Sequence, residues 1–182
     1  MTIELYSVLI SVGVLLLAAA VIFAIILFQG SARFGQMVKK ISYRWYLAAI
    51  AVISGGSIVG ALIYEYVYLT PVCDLCWWQR IFMIPLFIVS VFAVLVEDRK
   101  ASMTAGFLAF IGLMISAYHY YHHFLVYVLG RDVSMGCSIA PGAISCAESP
   151  ILVFGFITMP FMGMVAFLAM MVLALFAHIS NK

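Results

Sequence analysis

The sequence predicts an all-α integral membrane protein, a bundle of five transmembrane helices. Three observations carry that prediction. Of 182 residues, 67% are hydrophobic and only 9% are charged, whereas soluble domains carry about a quarter charged residues. A chain this short keeps too large a surface fraction to hide so much apolar side chain from water, and it is too apolar to be a disordered chain. The apolar residues also fall into five long stretches, with most charges at or between their ends.

A bilayer core of about 30 Å needs roughly 20 apolar residues as a helix. Leu5 to Ala32 contains no charge, and neither does Trp45 to Tyr64. Ile81 to Val96 is shorter, but the uncharged Leu75 to Gln79 precede it. Ala101 to Tyr118 is uncharged and runs on into Tyr and His residues, and Ile151 to Ala177 is the last stretch. Peptide groups in lipid must bond internally, so each stretch is expected to be a helix. The first lacks a basic start and is too long for a signal-peptide core, so it is expected to be retained.

The basic residues set an orientation. Arg33, Lys39, Lys40, Arg44, Arg99, Lys100 and Lys182 fall on one side, against Arg80 and Arg131 on the other. The positive-inside rule places the larger set in the cytoplasm. The N-terminus and the second and fourth connections then face outward. The net charge of +2 gives no argument for nucleic acid.

All four cysteines share that outer side. Cys73 and Cys76 lie in Thr70-Pro-Val-Cys-Asp-Leu-Cys-Trp-Trp-Gln-Arg80, and Cys137 and Cys146 lie in the fourth connection. Uniform burial of Cys as small hydrophobes does not predict that sorting, and the outer compartment is where disulfides persist. Cys73 and Cys76 form a Cys-x-x-Cys pair where a helix should begin, after Pro71. Free N–H groups and the macrodipole there favour a thiolate. Arg80, one turn beyond Cys76, shares its face. Asp74, inside the pair, opposes the dipole. Trp77 stands where c-type haem attachment needs His. Structural zinc and two static disulfides remain open readings. So does an electron relay between the two pairs, since thiol–disulfide exchange needs only sulfur contact.

His119, near the outer end of its helix, is a functional candidate by position. His122 and His123 share its face and are expected to be interfacial residues. Glu65, among Tyr64, Tyr66 and Tyr68, is expected to belong to an aromatic belt. Gly55, Gly56 and Gly60 are expected to serve helix packing.

Cys73-Asp-Leu-Cys-Trp-Trp-Gln-Arg80, followed by Ile81-Phe-Met-Ile-Pro85, resembles the signature of the bacterial DsbB family of quinone-linked membrane thiol oxidases, above all its short BdbC-like branch. Ala117-Tyr-His-Tyr120 and Gly155-Phe-Ile-Thr-Met-Pro-Phe161 are similar to that branch too. The resemblance covers about residues 45 to 175. It implies a four-helix thiol oxidase domain over 41–182, with 1–40 as an additional helix and its connection. It implies that a DsbA-like thioredoxin-fold partner attacks a Cys137–Cys146 disulfide, that Cys146 passes electrons to Cys73, and that Cys76 reduces a quinone (ubiquinone or menaquinone). Arg80, His119, Trp77 and Gln79 are then the residues expected around the quinone. A metal-binding scaffold using all four Cys, and a quinol-driven reductase running the relay backwards, are the alternatives. The extra helix and the wide spacing of the second pair depart from the family pattern.

Overall fold

Hydrocarbon offers no partner to a peptide group, so apolar runs of this length fold as helices. The computed structural model describes residues 2–131, 146, 149 and 151–180. Five helices among them are long and apolar enough to cross a membrane. Helix α1 spans Ile3–Gly30, and the Thr2 hydroxyl caps it by accepting from the Leu5 amide at 3.4 Å. Ser31 closes α1 and caps α2, Ala32–Lys40, accepting from the Phe34 amide. Helix α3 is Tyr43–Leu62, continued by a π turn at Ile63–Val67. Helix α4 is Asp74–Val96. Helix α5 is Ala101–His123, again continued by a π turn, Phe124–Val128. Helix α6 is Met159–Ser180.

Helix α4 starts at Asp74 with Cys73 as its N-cap, so the Cys-x-x-Cys pair opens the helix as the sequence led one to expect. Two boundaries differ from the sequence expectation. The first connection holds a helix, α2, whose Val38 is buried and whose last turn carries Lys39 and Lys40, where the macrodipole favours cations. The last helix starts at Met159 rather than near Ile151. Residues 151–158 instead make a tight turn, closed by paired 2.9 Å hydrogen bonds between Val153 and Ile157. Gly155 takes φ 77° there, a conformation that costs glycine little.

Helices α3, α4, α5 and α6 close into a ring: α3 packs on α4 and α6, and α5 on α4 and α6. Leu47, Ile50, Leu86, Phe167 and Met170 fill its centre. Small residues set the approach distances. The Phe167 ring lies directly on Gly112, and Phe87 lies 3.0 Å from where a Cβ on Gly55 would sit. The outer face is apolar, with Leu16, Phe23, Phe92 and Leu95 all exposed. A continuous apolar exterior of this kind belongs in lipid.

Helix α1 leans on the ring from outside, chiefly against α6. At one end Phe28 meets Phe176 at 5.4 Å. At the other, Tyr6 donates to the Gly60 carbonyl at 3.4 Å, and Tyr64 donates to the Ser7 hydroxyl at 3.1 Å. Cys73 and Cys76 lie at this second end. The basic residues Lys39, Lys40, Arg44 and Lys100 belong to the opposite end, where Arg44 pairs with Glu97 at 2.5 Å.

Candidate functional site

The site begins with how α4 starts. Cys73 is the N-cap residue, in extended conformation (φ −87°, ψ 165°), and its carbonyl accepts from the Cys76 amide at 3.1 Å. That turn brings the two sulfurs to 3.2 Å as free thiols. They face different neighbours. Cys73 is buried, with Sγ 3.7 Å from His119 Nε2 on α5. Cys76 lines an apolar cavity of about 380 Å³ on the other side of α4.

The Cys73 thiol is held well below its ordinary value of 9.0, at about 4. Its hydrogen bond with Cys76 is the largest cause; burial opposes it, and His119 adds to the lowering. A helix N-terminus favours the same charge.

His119 ties the site to the fourth connection. Its Nε2 lies 3.1 Å from the Cys146 carbonyl, and Gln79 Nε2 lies 3.2 Å from its Nδ1. The carbonyl can only accept, so Nε2 carries the proton and Nδ1 accepts from the Gln79 amide. His123, one turn on, donates from Nε2 to the same carbonyl at 2.8 Å. Cys146 is fully buried and disulfide-bonded. Tyr127 helps fix this segment, accepting from the Ser149 amide at 2.7 Å, and Tyr120 donates to the Phe156 carbonyl at 3.2 Å. Cys137 lies outside the described residues.

On the cavity side, Arg80 pairs with Glu65 and reaches the Ala61 carbonyl at 3.4 Å. The π turn after α3 carries Glu65, and such turns often mark functional positions. Gln79 spans both sides of α4: it lines the cavity and holds His119. It fits because Gly163 on α6 has no side chain; a Cβ there would lie 2.7 Å from Gln79 Oε1.

The eight residues singled out in the sequence therefore sort into groups. Cys73, Cys76, Gln79, Arg80, His119 and Cys146 meet at one end of the bundle. Trp77 does not line the cavity; it is half exposed, and Arg80 sits over its ring at 5.0 Å. Two residues have larger parts than the sequence suggested. Glu65 is the partner of Arg80, and His123 is buried on Cys146. The spacing of His119 and His123 was the available signal for the second, and a lone acid near a lone outer arginine for the first.

Fold and site together define a class: a multi-pass membrane protein with a paired-thiol centre at one end of its bundle. The model of the family "Disulfide bond formation protein DsbB" matches residues 43–177. The chain is 37% identical over 120 residues to a probable disulfide formation protein of Oceanobacillus iheyensis, covering 65% of this chain and 79% of that one. It is 36% identical over 112 residues to the SPbeta prophage-derived disulfide bond formation protein B of Bacillus subtilis, covering 62% and 70%. It is 30% identical over 139 residues to a probable disulfide formation protein C 2 of Bacillus anthracis, covering 76% and 94%. No solved structure matches the chain. The chain belongs to the DsbB family of disulfide bond formation proteins, and that membership implies thiol oxidoreductase activity.

Proposed function

We propose that this protein is a thiol:quinone oxidoreductase that reoxidises an extracytoplasmic, DsbA-like dithiol protein. The observation that carries the reading is the opposed setting of two sulfurs 3.2 Å apart: Cys76 faces an apolar cavity, and Cys73 faces His119 and the Cys146 segment. One thiol is placed to meet a lipid-soluble acceptor and the other to meet a disulfide from the aqueous side.

The cavity suits a quinone. Its walls are mostly apolar, and its polar groups, Arg80 and Gln79, converge beside Cys76. That is the usual make-up of a small-molecule site. A quinone, when bound, supplies an acceptor of two electrons and two protons. Arg80 would hold its polar end, with Glu65 fixing the guanidinium.

The chain's own steps follow from exchange chemistry. The reduced partner attacks a Cys137–Cys146 disulfide at Cys137, releasing Cys146 as a thiolate. Cys146 attacks Cys73 in an oxidised Cys73–Cys76 pair, and Cys76 leaves as a thiolate facing the cavity. The partner's second thiol then displaces Cys137 and leaves the partner oxidised, and Cys137 attacks Cys146, restoring the Cys137–Cys146 disulfide and expelling Cys73, whose low proton affinity makes its sulfur a stable leaving group. His119 Nε2–H, between the Cys146 carbonyl and Cys73, aligns the two strands of the exchange. When the Cys73–Cys76 disulfide re-forms, two electrons and two protons leave the pair toward the cavity. The net change is one dithiol oxidised to a disulfide for one quinone reduced.

The same reading places residues 41–182 as the oxidase domain, with both cysteine pairs outside the cell membrane and the basic end in the cytoplasm. Purified protein given a reduced thioredoxin-fold dithiol and a quinone is expected to reduce the quinone, and Cys76→Ser is expected to abolish that reduction. Turnover by the Cys76 variant would overturn the mechanism.

One observation favours a second reading. Ligand atoms of Cys73, Cys76 and His119 lie within 4.8 Å of one another, close enough for a metal ion. The four-thiolate form of that reading is opposed by the disulfide-bonded Cys146. Stoichiometric zinc in protein purified under reducing conditions would favour the metal site over the oxidase.

A further inference from the structure

The cavity beside Cys76 is not walled by the four-helix ring alone. Its far side is α1, which lies outside the family match over 43–177. Helix α1 is pinned to the ring at its two ends, by Tyr6 and Ser7 near the cysteines and by Phe28 at the other end. Between those points two glycines leave open space between the helices. Gly13 on α1 and Gly56 on α3 both line the cavity, and a Cβ on either would meet nothing within 4 Å.

The lining runs from Leu9 to Leu17 on α1 and from Ala61 back to Val52 on α3, about 12 Å along each helix at the α-helical rise. Polarity changes along that length. Arg80, Gln79 and Tyr64 stand at the cysteine end, and Val14, Leu17 and Met83 lie deeper. Leu9 and Val52 are 56% and 74% exposed, so the cavity opens sideways on the apolar surface. Its volume of about 380 Å³ falls in the roughly 300–1,000 Å³ range of small-molecule sites.

We propose that α1 forms one wall of a binding channel for the isoprenoid tail of the quinone, so that the helix absent from the family pattern selects tailed acceptors. The inference rests on the quinone reading of Cys76 and Arg80 and adds to it a subsite, its residues and its specificity. The tail lies between Gly13 and Gly56, and its far end leaves to lipid past Val52.

Two measurements test it on the full chain in lipid nanodiscs. The first is labelling of the wild type with a quinone bearing a photoreactive group on its tail. Labels within 9–17 of α1 are expected. The second is equilibrium binding, read from quenching of tryptophan fluorescence, with a long-tailed quinone and with the tailless ring. Gly13→Leu and Gly56→Leu are expected to weaken binding of the tailed quinone by about tenfold, the scale of one misplaced group in an apolar pocket, and to leave the tailless ring unaffected. Wild-type protein that binds the tailed quinone but carries its label only on other helices would overturn the subsite and leave the quinone reading standing. Equal affinities in the wild type and both variants would do the same. Wild-type protein that binds neither quinone would overturn both. The labelling needs no variant, so it decides the matter even where a leucine substitution fails to fold.

Discussion

His119 holds three groups at once: the Gln79 amide on Nδ1, the Cys146 carbonyl on Nε2, and Cys73 Sγ at 3.7 Å. A single imidazole in the buried end of a bundle thereby couples the two cysteine-bearing connections. The adjacent Cys73 is the residue with the clearest chemical bias, ionising near pH 4 rather than 9.0. In the reduced protein, thiolate ultraviolet absorbance is expected to survive down to about pH 4. Cys76→Ala, which removes the largest cause, should move its midpoint up toward the ordinary value; an unchanged midpoint would show that Cys76 is not the cause. The sign for stability follows from linkage. Between pH 9 and 4 the unfolded chain takes up a proton that folded Cys73 refuses, so the reduced fold loses stability as pH falls through that window. The Cys-x-x-Cys chemistry was legible in the sequence because spacing and a helix start suffice for it. The parts of Glu65 and His123 were not, because each depends on which way a π turn or a late helical turn points its side chain.

Among the elements, α4 matters most, because its first two turns present different residues to different compartments of the site. Cys73 is the cap, Cys76 and Arg80 face the cavity, and Gln79 passes between α5 and α6 to reach His119. Gly163 on α6 leaves the room that Gln79 needs. Gly163→Ala is therefore expected to slow electron transfer severalfold, with Gln79→Ala doing the same and the double variant little worse than either, since both act on one contact. Additive losses in the double variant would contradict that coupling. Helix identity and order followed from apolar length. Two ends did not. Helix α2 is short and mixed in character, and its helicity depends on the Ser31 cap and on burying Val38. The start of α6 is delayed by the Val153–Ile157 turn, whose residues are as apolar as the helix they precede.

Across the whole molecule, four helices close a ring and a fifth leans on it, with the thiols at one end and the basic residues at the other. The proposed orientation puts the N-terminus and the thiol end outside. A membrane-impermeant reagent applied to intact cells is expected to modify a tag at residue 1 and to spare a cysteine introduced at Gln36; the opposite pattern would invert the topology. Small residues that the sequence marks only as packing positions divide in the structure, since Gly55 packs on Phe87 while Gly56 lines the cavity. No periodicity separates those two neighbours; the position of α1 does. The central claim is that electrons pass from the fourth connection to Cys73 and leave through Cys76. Its most direct test is non-reducing mass spectrometry of Cys137→Ser after its Cys73–Cys76 pair has been oxidised by a quinone. The account predicts a Cys73–Cys146 disulfide with Cys76 as a free thiol, because Cys146 attacks Cys73, Cys76 leaves, and no Cys137 thiol remains to resolve the product. Cys146 recovered on Cys76, or with no cross-link to the Cys-x-x-Cys pair, would contradict it.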